Sequence, residues 1–113
     1  MDEAEKQGKK YILHHKEHDL WRIQACKDLD NVKKGDFGGL IKSEKNLSHK
    51  GKCWIFEDAQ VYDGAKVYGN ANIYGYAKVY DDARVFGNAT VYDYALVFEN
   101  AQIYDEARIF SNA

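Results

Sequence analysis

From Cys53 to Ala113 the chain repeats every six residues without a break. Each unit holds a small residue, a variable residue, an aliphatic residue, an aromatic residue and two turn-forming residues. Cys53 opens the small position and alanine fills it from Ala59 to Ala113; Val or Ile fills the aliphatic position from Ile55 to Ile109; Tyr or Phe follows each time, from Phe56 to Phe110. Alternation along Ala-x-Val-Tyr puts the small and aliphatic residues on one face of an extended segment and the variable and aromatic residues on the other. β-branched and aromatic residues favour that backbone. Six is an even number, so each turn returns the chain with the same face inward. Bends of about 120° then close a triangle of about 18 residues whose strands stack in parallel at about 4.8 Å. The pattern predicts an all-β fold, a triangular parallel β-helix over residues 53–113. A meander of two-residue hairpins fits worse, because primed turns need permissive residues at both positions and Gly75-Tyr76 and Asp93-Tyr94 do not supply them. Asp63-Gly64, Gly69-Asn70, Gly87-Asn88 and Glu99-Asn100 mark the corners, with Gly and Asn expected to take positive φ.

The first fifty residues lack this regularity. Residues 1–8 are polar and read as a frayed terminus. Tyr11-Ile12-Leu13 and Leu20 to Ala25 read as two short strands joined by a polar loop from His14 to Asp19, and Gly35, Gly38 and Gly39 as tight turns. Ile41 and Leu47 are six apart and Ile55 follows Leu47 by eight, so an irregular first coil begins near Gly39 with two extra residues around His49 to Gly51. Residues 9–52 are expected to cap the first coil, since a solenoid end left open exposes strand edges and core to water.

Composition narrows the class. The chain has 113 residues, 45% hydrophobic and 30% charged, with no proline and nine tyrosines. A net charge of −2 gives no general attraction for nucleic acid or an anionic membrane. No apolar run reaches the roughly 18 residues a membrane span needs, and the polar, acidic start does not resemble a secretory signal. Cys26 and Cys53 are too few for a disulfide scaffold, which implies reduced thiols and a cytoplasmic protein. No cofactor is expected.

The hexad is similar to the hexapeptide repeat of left-handed parallel β-helices. The segments Arg22–Leu29, Val32–Ile41, Ser43–Ser48 and Gly51–Ile55, followed by repeats of the Ala-x-Val-Tyr-Gly-Asn type, resemble bacterial phage- and prophage-encoded hexapeptide-repeat proteins over residues 9 to 113. The left hand of the coil is implied by this resemblance alone, since the general crossover rule favours the right hand. The resemblance also implies a bacterial host cytoplasm. It assigns no settled activity.

Hexapeptide-repeat enzymes are usually acyltransferases that use a histidine base. That chemistry needs a base near pKa 7 within reach of a hydroxyl or amine, and residues 53–113 hold no histidine. His14, His15, His18 and His49 all precede the coil, and only His49 lies near it. The run from His14 to Asp19 has the composition of a zinc site but no supporting ligand set. Cys53, at an inward position, reads as buried rather than reactive, and Cys26 sits in a predicted strand with no basic arrangement specific enough to make it a nucleophile. Gly35 to Gly39 lacks the Lys-Ser/Thr ending of a phosphate loop.

The outer surface carries more information. Residues 18 apart stack, giving three aromatic ladders: Phe56-Tyr74-Tyr92-Phe110, Tyr62-Tyr80-Phe98 and Tyr68-Phe86-Tyr104. At one corner Tyr76 and Tyr94 replace the usual turn residues. With Tyr74, Tyr92, Leu96 and an outward Trp54 they form the expected partner-binding patch. Asp63, Asp81 and Glu99, with Asp82 beside them, form an acidic column in which like charges repel. Residues 1–52 carry 12 basic and 9 acidic residues (net +3), residues 53–113 carry 4 and 9 (net −5). The chain ends in phase with the repeat, so Ile103, Ile109 and Phe110 are expected to form an open end through which a homo-oligomer assembles. The leading expectation is a non-enzymatic phage-type protein that presents a rigid face to a host protein, such as a defence nuclease that it inhibits. The alternatives are a minimal acyltransferase and a carbohydrate-binding or virion module.

Overall fold

The computed structural model describes residues 7–111. The expectations of a frayed start and an in-phase final alanine therefore fall largely on residues outside this range. The described chain is all-β apart from one 3₁₀ turn at Glu44–Asn46. A hairpin of β1 (Tyr11–Glu17) and β2 (Leu20–Ala25) leads into β3 (Phe37–Ile41). Ten short strands follow: β4 (Trp54–Ile55), β5 (Gln60–Val61), β6 (Lys66–Val67), β7 (Asn72–Ile73), β8 (Lys78–Val79), β9 (Arg84–Val85), β10 (Thr90–Asp93), β11 (Leu96–Val97), β12 (Gln102–Ile103) and β13 (Arg108–Ser111).

These strands wind a three-sided parallel solenoid. Face I stacks β4, β7, β10 and β13; face II stacks β3, β5, β8 and β11; face III stacks β6, β9 and β12. Partners are 18 residues apart, as in Ile55 with Ile73, Val61 with Val79 and Val67 with Val85. At the first coil the offset is 20, as in Ile41 with Val61 and Leu47 with Val67, so two extra residues lie between Leu47 and Ile55. The inward column holds the core: every alanine from Ala59 to Ala95 and every Val or Ile from Ile55 to Val97 is buried. Each buried Val or Ile contributes about 1.5–3 kcal/mol of transfer free energy relative to exposure.

The corners correct one expectation. Positive φ falls on the first corner residue: on the glycine, as expected, at Gly69 (68°) and Gly87 (67°), but on the acidic residue at Asp63 (53°) and at Asp81 and Glu99 (57°), and not on Gly64 or the asparagines that follow. The second residue keeps ordinary φ and donates its N–H to the first corner residue of the next coil, as Asn88 does to Asp105 (2.7 Å) and Tyr76 to Asp93 (2.9 Å). Ordinary φ at that second position lets Tyr76 and Tyr94 sit there without backbone strain.

The N-terminal cap also differs from its sequence reading. The strands of the hairpin run almost to its tip, and His18 and Asp19, both at positive φ, form the turn. His14 and His15 therefore lie on β1 rather than in a loop. Gly38 and Gly39 are not turns but positions of close approach: a Cβ on Gly39 would stand 2.3 Å from Ile55 Cγ2 and 2.6 Å from the Ala59 carbonyl oxygen. Only glycine lets β3 pack directly onto the first coil.

Candidate functional site

Face II gathers four exposed large hydrophobic side chains, Tyr76, Tyr94, Leu96 and Phe98. Its outward residues form three rows, one per coil: Asp58, Gln60 and Tyr62; Tyr76, Lys78 and Tyr80; Tyr94, Leu96 and Phe98. Strand register places Gln60, Lys78 and Leu96 one above another. The rows become more apolar along the axis. In the last, Tyr94, Leu96 and Phe98 are all exposed, Leu96 by 55%, and Tyr76 beside them is also 55% exposed. Ring stacking fixes the side chains: Tyr76 on Tyr94 at 5.2 Å and Tyr80 on Phe98 at 5.6 Å. The surface is thus ordered before any partner arrives, which lowers the entropy cost of binding.

Carboxylates frame this strip. Glu57 and Asp93 lie at the corner leading into face II, and Asp63, Asp81, Asp82 and Glu99 at the corner leading out. The acidic column is less costly than its stacked charges imply. Asp63 Oδ2 accepts the Asp81 N–H (3.2 Å), Asp81 Oδ2 accepts the Glu99 N–H (2.9 Å), and Glu57 Oε1 accepts the Gly75 N–H (3.0 Å). Charge-assisted bonds to the backbone offset the repulsion. Burial, then Tyr80 and the carboxylates of Asp63 and Asp81, raise the Tyr62 hydroxyl above its usual pKa.

The predicted tyrosine cluster is divided by the corner. Tyr74 and Tyr92 are half-buried and stack on Phe56 and Phe110, whereas Tyr76 and Tyr94 stand past the corner beside Leu96. Trp54 does not belong to an exposed patch: it is 1% exposed. It shares the buried cluster with Val32 from the cap loop, and Tyr11 lies edge-on at 6.3 Å. A solenoid-only reading cannot foresee this cover, because the covering residues come from the irregular segment. Phe98 keeps its expected place in the ladder, stacked on Tyr80, and as the last rung it is also exposed in the strip. Ile103 and Ile109 are half-buried and Phe110 exposed, while the equivalent Val85 and Val91 one coil earlier are fully buried.

Beside Trp54 a cleft of about 310 Å³ lies between the cap loop and face I, lined by Leu29, Asp30, Lys52, Asn70, Asn72 and Asn88 among others. Asn70 already accepts the Lys52 N–H (3.3 Å) and donates to Asn88 (3.4 Å), so part of its polar lining is internally satisfied.

His14, His15 and His49 are engaged locally. His49 Nδ1 accepts the Lys10 N–H (3.1 Å), Nε2 pairs with Glu44 (2.7 Å), and the ring stacks on Tyr11 at 4.1 Å. His15 pairs with Glu17 (2.7 Å), which also takes two bonds from Arg22 (2.9 and 2.7 Å). Arg22, then His15, pull the Glu17 pKa down to about 2. Arg22 further donates to Asp58 and to the carbonyls of Gly38 and Glu57, locking the hairpin onto the first coil. No three His, Cys, Asp or Glu side chains among the described residues converge in a metal-binding arrangement. No helix among the described residues is long and apolar enough to cross a membrane.

A family model of the YdcK beta solenoid repeat matches residues 77–93 and 83–99. The two windows span 23 of 113 residues and fall on the coils that carry the exposed strip. The chain is therefore similar to that repeat over a little more than one coil. No curated protein matches the chain.

Proposed function

We propose that the chain is a non-enzymatic binding protein that offers face II to a protein partner whose contact surface is apolar at its centre and basic at its rim. One observation carries this reading: Tyr76, Tyr94, Leu96 and Phe98 form a continuous, ring-ordered apolar strip between two columns of carboxylates. Exposed aromatic clusters of this kind are enriched at interfaces, and the acidic frame steers and selects a basic rim. The resemblance of the lead-in segment extends the proposal to a phage or prophage protein that occupies a host protein's surface in the cytoplasm and so inhibits it. The acyltransferase alternative would require His49 to leave Lys10, Glu44 and Tyr11.

The test uses the full chain as bait in a bacterial lysate, beside a Tyr76→Ala/Tyr94→Ala double variant and a Lys66→Ala/Arg84→Ala variant of face III. The proposal expects a partner captured by wild type and the face III variant, lost with the tyrosines, and weakened by added salt. Capture that survives loss of both tyrosines would refute it. Binding of acetyl-coenzyme A in calorimetry, with face II irrelevant, would favour the enzyme instead.

A further inference from the structure

One buried pair is explained neither by the repeat nor by face II. Lys10 is fully buried, and no carboxylate among the described residues pairs with it. Its Nζ donates to the Cys53 carbonyl (2.6 Å), approaches the Gly51 carbonyl (3.4 Å) and lies 3.1 Å from Cys53 Sγ. Cys53 occupies the inward position that alanine holds in every later coil, and it too is fully buried. Its sulfur is otherwise ringed only by longer contacts to the carbonyls of Ser48, Lys50 and Val67. The amine is held in place because the Lys10 backbone is fixed on both sides: its N–H reaches His49 and its carbonyl accepts the Cys26 N–H (2.8 Å). Desolvation lowers the Lys10 pKa, which favours the neutral, nucleophilic amine.

We propose that Lys10 and Cys53 are the two ends of an oxidant-driven covalent crosslink, a sulfur–nitrogen bond that staples the N-terminal segment to the first coil. The oxidant is hydrogen peroxide. In the first step the Cys53 thiolate attacks one peroxide oxygen, the O–O bond breaks, and hydroxide leaves and takes up the thiol proton as water; Cys53 is oxidised to the sulfenic acid and peroxide is reduced. In the second step the Lys10 amine lone pair attacks Sγ, the S–O bond breaks, and the hydroxyl leaves as water with a proton from nitrogen. The net change is the loss of one hydrogen from sulfur and one from nitrogen. Sulfenic acids are known to condense in this way with nitrogen nucleophiles, and the fixed contact supplies the proximity that the second step requires.

The experiment treats the full chain with hydrogen peroxide and follows intact mass and proteolytic peptides. The proposal expects a species lighter by two hydrogens, Lys10 and Cys53 peptides joined and resistant to trypsin at Lys10, and complete reversal by dithiothreitol. The crosslink is absent in Lys10→Met and in Cys53→Ala, the latter restoring the repeat's own residue and so expected to fold; circular dichroism checks both. Three results would overturn the proposal: oxygen added to Cys53 with Lys10 unmodified, a two-hydrogen loss that maps to Cys26 and Cys53, or a joined peptide that retains an extra oxygen.

Discussion

The coils and the cap are stabilised in opposite ways. In residues 53–111 one solution is repeated: alanine and a branched aliphatic point inward, an aromatic covers the edge, and the second residue of a corner donates its N–H to the first corner residue of the next coil. No single coil residue is indispensable by kind, because its neighbours 18 residues away do the same work. The cap instead depends on residues that occur once. Arg22 joins the hairpin to Asp58 and two carbonyls, Asn46 ties the first irregular coil to the second, and Tyr11 donates its hydroxyl to the Leu47 carbonyl (2.5 Å). Repetition builds a long surface cheaply in sequence information, whereas closing its end takes specific polar contacts whose loss has no substitute.

The largest effect should come from the core of the coils. Ile73→Ala removes a fully buried side chain between β4 and β10 and is expected to cost about 3 kcal/mol in urea unfolding. Its cost should match that of Val79→Ala, scaled for size, if the coils are equivalent. Asn46→Ala should cost about 2 kcal/mol. It strips the Ser43 N–H of its acceptor and the Asp63 and Ala65 carbonyls of a donor, and leaves the Lys42 N–H only the Val61 carbonyl. Hydrogen exchange should then speed up across residues 37–48 before it changes in the later coils. An equal rise in residues 84–98 would show that cap and coils unfold as one unit.

Gly87→Ala tests the corner rule and should cost about 1 kcal/mol or more, since an added Cβ meets the Asp105 nitrogen at 2.7 Å in a left-handed backbone. Asn88→Ala, at the ordinary second position, should cost less than half as much by thermal melting. The smallest effect is acid sensitivity in the cap. The Glu17 carboxyl titrates at about 2 in the folded protein against 4.5 ordinarily. Its folded pKa is depressed, so its contribution is complete above about pH 4.5 and fades as pH falls toward 2. The stability gap between wild type and Glu17→Gln in urea titrations should therefore narrow across that window. A constant gap would mean that Glu17 acts by packing alone.

The difference between the two regions also explains what could be read in advance. The hexad makes burial, face assignment and the 18-residue register visible, because each depends only on parity and spacing. Positive φ at Asp63 and Glu99 was not foreseen, because both adopt it despite their side chains, held by bonds to the neighbouring coil that no local propensity encodes. The cap was legible only in outline. The burial of Trp54 under the cap loop and of Lys10 against Cys53 arises from contacts between segments more than twenty residues apart, where no period relates the partners. On face II, Tyr76, Tyr94 and Leu96 were recognisable as departures from the repeat; Phe98 was hidden because it obeys the repeat.

The central claim is that face II, and not another side of the prism, meets the partner. Photo-crosslinking in bacterial cells tests it directly, with a benzophenone amino acid placed at position 96 on face II or at position 84 on face III. The account predicts one discrete crosslinked protein from position 96, lost when Tyr76 and Tyr94 are both alanine, and none from position 84. A discrete adduct from position 84 alone would contradict it.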